Sequence, residues 1–119
     1  MSRDPIISRR AFCAAAPLLA VRLQPGRAAL SASLAALVGD PAAWRAVGRR
    51  RLAMHPEETR RATLLAALAD GYPAGAPLAA RRAWFVARCR DDFAAGRVER
   101  VEGWVMARTE LRLAALLAL

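Results

Sequence analysis

Lysine is absent from this chain of 119 residues, and all 19 basic side chains are arginine. That one-sidedness points to a biased base composition, not to a surface selected for binding phosphate. The formal net charge of +9 also shrinks on inspection. Five arginines (Arg3, Arg9, Arg10, Arg22 and Arg27) and one acid precede residue 30, which leaves 14 arginines against nine acids, or +5. Long basic runs are missing, and the arginines alternate with Glu57, Glu58, Asp91 and Asp92, a mixture typical of solvated faces. Nucleic acid is therefore not an expected partner. The two cysteines, Cys13 and Cys89, exclude a disulfide-rich scaffold. The single histidine, His55, has no ligand-spaced cysteines to join, so no metal site is assigned; a place at a helix boundary accounts for it. Absent too are Gly-x-Gly-x-x-Gly, Gly-Lys-Ser/Thr, Cys-x-x-Cys and Gly-x-Ser-x-Gly. Adjacent acids such as Glu57-Glu58 diverge on a helix and cannot flank one substrate bond. No catalytic, cofactor-binding or metal-binding residue follows from the sequence, and no cofactor is expected.

Aromatic and β-branched residues are scarce, whereas alanine and leucine dominate, a composition that favours helix. We therefore expect an all-α fold, a small bundle of four to five helices. The first face is Leu30, Leu34, Leu37 and Val38, closed by Gly39 in the position of a left-handed cap. Asp40-Pro41 restarts a helix to about Met54, with Trp44, Val47, Arg51 and Met54 on one face. Arg51, at the edge of that face, is expected to lay its stem on apolar surface and keep its head in water. Pro56 opens the third helix, with Leu64, Leu65 and Leu68 buried and Gly71 at its end. A turn-rich loop reaches Pro77. The fourth helix then carries Leu78, Phe85, Cys89 and Phe93 as a stripe, with Trp84 and Val86 beside it. Cys89 in that stripe reads as a buried small hydrophobe.

The valines gather in one place, from Val98 to Val105. This segment predicts a short strand, or a hairpin turning at Glu102-Gly103, just before the last helix. That helix is apolar round more than half its circumference, through Leu111, Leu113, Leu116, Leu117 and Leu119. It is either the central helix of the bundle or partly a cover for a partner. Trp104 at the junction is either a plug in this core or an anchor for a second protein. Val101, Trp104, Val105, Leu113 and Leu117 are the candidates for partner binding.

The N-terminus has a different character. Ser8-Arg9-Arg10-Ala11-Phe12 precedes the apolar run Ala11–Val21, and Pro25-Gly26 and Arg27-Ala28-Ala29 follow. Eleven apolar residues are too few to span a bilayer, which needs about 20, but they suit a signal peptide. Ser8, Arg9, Arg10 and Phe12 resemble the twin-arginine export motif, in which Ser-Arg-Arg-x-Phe is usually followed by Leu and Lys; Cys13 and Ala14 depart from it. The resemblance covers about the first 29 residues. It implies a cleaved signal at 1–29, use of the twin-arginine translocase, and a small periplasmic helical domain at 30–119. With the signal gone only Cys89 remains, so no internal disulfide forms.

The twin-arginine route carries folded cargo, often redox enzymes. In plan the chain is similar to the small helical subunits of membrane-associated sugar and alcohol dehydrogenases. That likeness implies a non-catalytic small subunit or maturation factor, bound to a larger exported enzyme subunit. The alternative is a cytoplasmic interaction module whose N-terminus is an ordinary amphipathic helix.

Overall fold

The computed structural model describes residues 26–119, so the export motif at Ser8, Arg9, Arg10 and Phe12 lies outside the described residues. The described residues form five helices: α1 (Arg27–Ala35), α2 (Pro41–Met54), α3 (Arg61–Ala69), α4 (Leu78–Ala94) and α5 (Arg108–Ala118). A two-stranded antiparallel hairpin, β1 (Val98–Val101) and β2 (Trp104–Ala107), precedes the last of them. The expected fold class is thus the observed one. Helix α1 already begins at Arg27, inside the stretch assigned to the signal, and residues 27–29 are exposed.

Local chemistry explains most of the boundaries. The Asp40 carboxylate accepts the Ala42 amide at 3.1 Å, and Pro41 takes the first helical position, where its missing donor costs nothing. Gly71 and Gly96 sit at φ of 75° and 74°, the left-handed geometry that stops α3 and α4. Between the strands, Glu102 (φ 51°) and Gly103 (φ 85°) are both left-handed. Two such residues make the mirror-image turn whose twist matches the flanking strands. The register follows: Val101 pairs with Trp104, Arg100 with Val105, Glu99 with Met106 and Val98 with Ala107.

Two boundaries differ from expectation. Helix α1 stops at Ala35 and turns through Ala36 in ordinary right-handed geometry, so Gly39 is not its cap. Pro56 opens only a single 3-10 turn, Pro56–Glu58. The chain then extends through Arg60 before α3 starts at Arg61.

Helix α5 is the axis. Leu111, Leu113 and Ala114 are sealed from solvent, and Ala115 and Leu116 nearly so. Leu34, Leu64, Leu65, Leu68 and Tyr72 complete the core with Leu113, Ala115 and Leu116; Trp44, Leu52, Trp84 and Phe85 close it from the sides. Helix α2 lies directly on α5, because Gly48 lets the backbones touch. A Cβ at Gly48 would come 1.9 Å from the Ala114 carbonyl oxygen. The apolar stripes read from the sequence are therefore shorter than expected: Met54, Val86 and Phe93 lie at the surface.

Candidate functional site: an exposed face on an anchored hairpin

The hairpin is too short to stand alone, and two polar anchors hold it to the helices. The first is Asp92 on α4, only 4% exposed. One of its carboxylate oxygens accepts the Thr109 amide at 2.7 Å and the Thr109 hydroxyl at 2.6 Å. The other accepts the Arg97 Nε at 2.8 Å. Burial alone would raise the Asp92 pKa; the bonds from Thr109 and Arg97 outweigh it and hold the carboxyl below the usual carboxylate range. This anchor fixes both the start of β1 and the start of α5.

The second anchor is Arg51 on α2, which is 2% exposed. Its guanidinium forks between Glu99 on β1 and Glu58 in the 3-10 turn. Arg112 Nε on α5 reaches the second Glu58 oxygen at 2.9 Å. His55 adds its ring, with Nδ1 2.9 Å from Glu57 Oε1 and Nε2 3.0 Å from Glu99 Oε2. Burial pushes the Glu99 carboxyl up, but the hydrogen bond and charge of Arg51, then those of His55, bring it below the ordinary range. The expectation that Arg51 would keep its head in water is corrected. Glu58, seven residues on, and Glu99, 48 residues on, meet it inside, so the charge is buried and paired.

This cluster gathers His55, Glu57 and Glu58 closely enough to suggest a cation position. The sequence had not shown that the histidine would find such company. Arg51 and Arg112 occupy both oxygens of Glu58, and Arg108 lines the same hollow. Glu58 is neutralised by two arginines, and Glu57 is joined only by His55, so a further positive ion would meet Arg51, Arg108 and Arg112 close by.

Between these anchors Trp104 projects outward, 75% exposed, with Val105 beside it 47% exposed. Trp104, Val105 and Met106 line a hollow of about 400 Å³ together with Val47 of α2 and Glu110 of α5. On the other flank, Arg50 pairs with Glu102 at 2.7 Å near exposed Met54. The result is a mostly apolar ledge rimmed by charge, on a framework pinned at both ends.

The structure separates the five candidates for partner binding. Trp104 and Val105 stand together on the ledge, and the reading of Trp104 as a core plug is set aside. Val101, at 3% exposure, and Leu113, at 0%, are corrected: both face this chain's own interior and are not available to a partner. Leu117 is half-buried and lines a different hollow with Ser31, Ala32 and Arg45. It lies two helical turns past Glu110, about 10 Å along α5. Sequence reasoning missed Met106 as a lining residue because the strand register, not hydrophobicity, places it there.

Cys89 is half-buried, and desolvation, reinforced by Glu110 and Asp92, pushes its thiol up to about 12. It is a protonated, unreactive thiol at neutral pH. Among the described residues no helix is long and apolar enough to cross a membrane. No family model, curated protein or solved structure matches the chain.

Proposed function

We propose that this protein is a non-catalytic small subunit or maturation factor that binds a larger, exported enzyme subunit through the Trp104 ledge. The observation that carries the reading is the exposure of Trp104 on a hairpin that is otherwise tied down at Asp92 and Arg51. A tryptophan is costly to leave in water, and it ranks among the residues that dominate binding energy. Val105, Met106 and Val47 supply an apolar surround, and the Arg50–Glu102 pair supplies a polar rim. The absence of catalytic motifs and the twin-arginine-like N-terminus set the partner class: a cargo enzyme, with a redox enzyme as the first candidate. Export itself rests on Ser8, Arg9, Arg10 and Phe12, and the periplasm is the proposed compartment.

Substitution at Trp104 tests the binding claim. Trp104→Ala should leave the unfolding free energy within about 0.5 kcal/mol of the parent, as for other surface positions. Co-purification of the partner from the native host should drop by about 30-fold or more, the effect of losing roughly 2 kcal/mol. A stable variant that keeps its partner defeats the proposal. An unfolded one shows that Trp104 serves the fold instead.

A further inference from the structure

We infer that two copies of this chain pair edge to edge along β2, about a two-fold axis at Val105. The pairing is a property of the isolated chain. Only one consequence, competition with the larger subunit, rests on the binding proposal.

The register fixes which backbone groups of β2 point away from β1. Trp104 opposes Val101 across the two-residue turn, and Arg108 donates its amide to the Arg97 carbonyl at 2.9 Å. In an antiparallel ladder such bonded residues alternate with residues that turn their amide and carbonyl outward. Trp104, Met106 and Arg108 therefore bond toward β1, while Val105 and Ala107 face the free edge. The Glu110 side chain fits that phase, since it takes the outward Ala107 amide at 2.9 Å. The Val105 amide and carbonyl have no partner among the described residues. A donor and an acceptor side by side on one residue are self-complementary. With Val105 opposite Val105 of the second copy, each amide meets the other's carbonyl, and two bonds form across the axis. Trp104 then stands opposite Met106 of the second copy, which brings a thioether to an indole and takes apolar surface out of water. Three consecutive residues, Trp104, Val105 and Met106, line the hollow of about 400 Å³, so it runs beside the edge and not over one face of the strand.

The charge pattern points to a second copy as the occupant. Exposed edge strands are commonly protected by charge, proline or a bulge. β1 carries Glu99 and Arg100, whereas Trp104–Ala107 has no charge, no proline and an unbroken register. Two chains of net charge +9 can thus meet here with no like charges opposed at the axis. The contact is small and belongs with weak, transient interfaces. It covers the Trp104 ledge, so the larger subunit, on binding, takes the place of the second copy.

Sedimentation velocity of the full chain under reducing conditions tests the pairing. Between about 10 and 500 μM the parent should pass from monomer toward dimer, as a weak interface does. Val105→Lys sets like charges opposite each other and should raise the dissociation constant about tenfold, and Val105→Glu should do the same. An equimolar mixture of the two variants should dimerise again, because opposite charges then face each other across the axis. Should either variant fail to fold, amide exchange in the parent decides. Protection at Val105 should rise with concentration, while that at Arg100, which faces the outer edge of β1, stays constant. A parent that remains monomeric to about 500 μM overturns the inference. So does association that the Val105 variants leave unchanged, a mixture that fails to restore it, or Val105 protection that ignores concentration. Those results sink the pairing alone. A stable Trp104→Ala variant that keeps its larger partner sinks the binding proposal alone.

Discussion

Arg51 is buried because two acids from other elements meet it there, and that makes it the most demanding residue in the fold. Its Nη atoms serve Glu58 and Glu99, while its Nε is buried without a partner. Removing one member of a buried pair strands the rest, so Arg51→Met should cost about 3–5 kcal/mol in denaturant unfolding. Arg51→Lys should recover little of that, because an ammonium cannot reproduce the fork. Other arginines work the same way. Arg81 donates to the Ser33 carbonyl at 3.0 Å and to the Ser33 hydroxyl at 2.8 Å, and Arg88 reaches the Ala67 carbonyl at 3.2 Å near the end of α3. Much of the positive charge thus serves internal joints. At Asp92 the lowered pKa fixes a pH dependence. The stability contributed by the carboxylate is complete above the ordinary aspartate value near ~4 and lost as pH falls through the lowered one. Acid titration of the melting temperature should show that decline, and Asp92→Asn should flatten it at a cost of about 2–3 kcal/mol. Cys89 gives the opposite case. At pH 8 it should hold on the order of a thousandfold less thiolate than an ordinary cysteine, so a thiol reagent should label the Cys13→Ala variant slowly until it unfolds.

Helices and hairpin obey rules of different range, and this decides what could be read in advance. Asp40-Pro41, Gly71, Gly96 and the Glu102-Gly103 turn act within a few residues, so the sequence marks them clearly. The hairpin and the burial of Leu64, Leu65 and Leu68 follow from the same short-range patterns. Arg51 with Glu99, and Asp92 with Thr109, are pairings across 48 and 17 positions, and no local pattern announces them. Of the neighbours Asp91 and Asp92, only the second is buried, and composition cannot distinguish them. The same blindness put Val101 and Leu113 on the proposed surface, where hydrophobicity alone cannot tell core from interface. Gly48 is a signal that could have been used, since a glycine inside a helix often marks a close approach. Gly48→Ala gains about 1 kcal/mol of helix propensity, yet its Cβ must displace the Ala114 backbone. The net should be a loss of about 1–3 kcal/mol, measured by denaturant unfolding, as α2 is pushed off α5.

At the scale of the molecule, the helices bury one core around α5 and leave the hairpin ledge over, so Trp104 and Val105 face outward. The proposed compartment rests on a separate stretch, and its prediction belongs there: Arg9→Lys with Arg10→Lys should keep the precursor in the cytoplasm, as followed by fractionation. The fold class was legible because helix periodicity and turn residues are local. The function was not, because an exposed face records its own shape and polarity but not the surface that would cover it. One measurement joins the two halves of the account: native mass spectrometry of the periplasmic fraction from the source organism. We predict a chain lacking about its first 28–29 residues, found in a particle with a larger subunit. A full-length, solitary chain confined to the cytoplasm would contradict it.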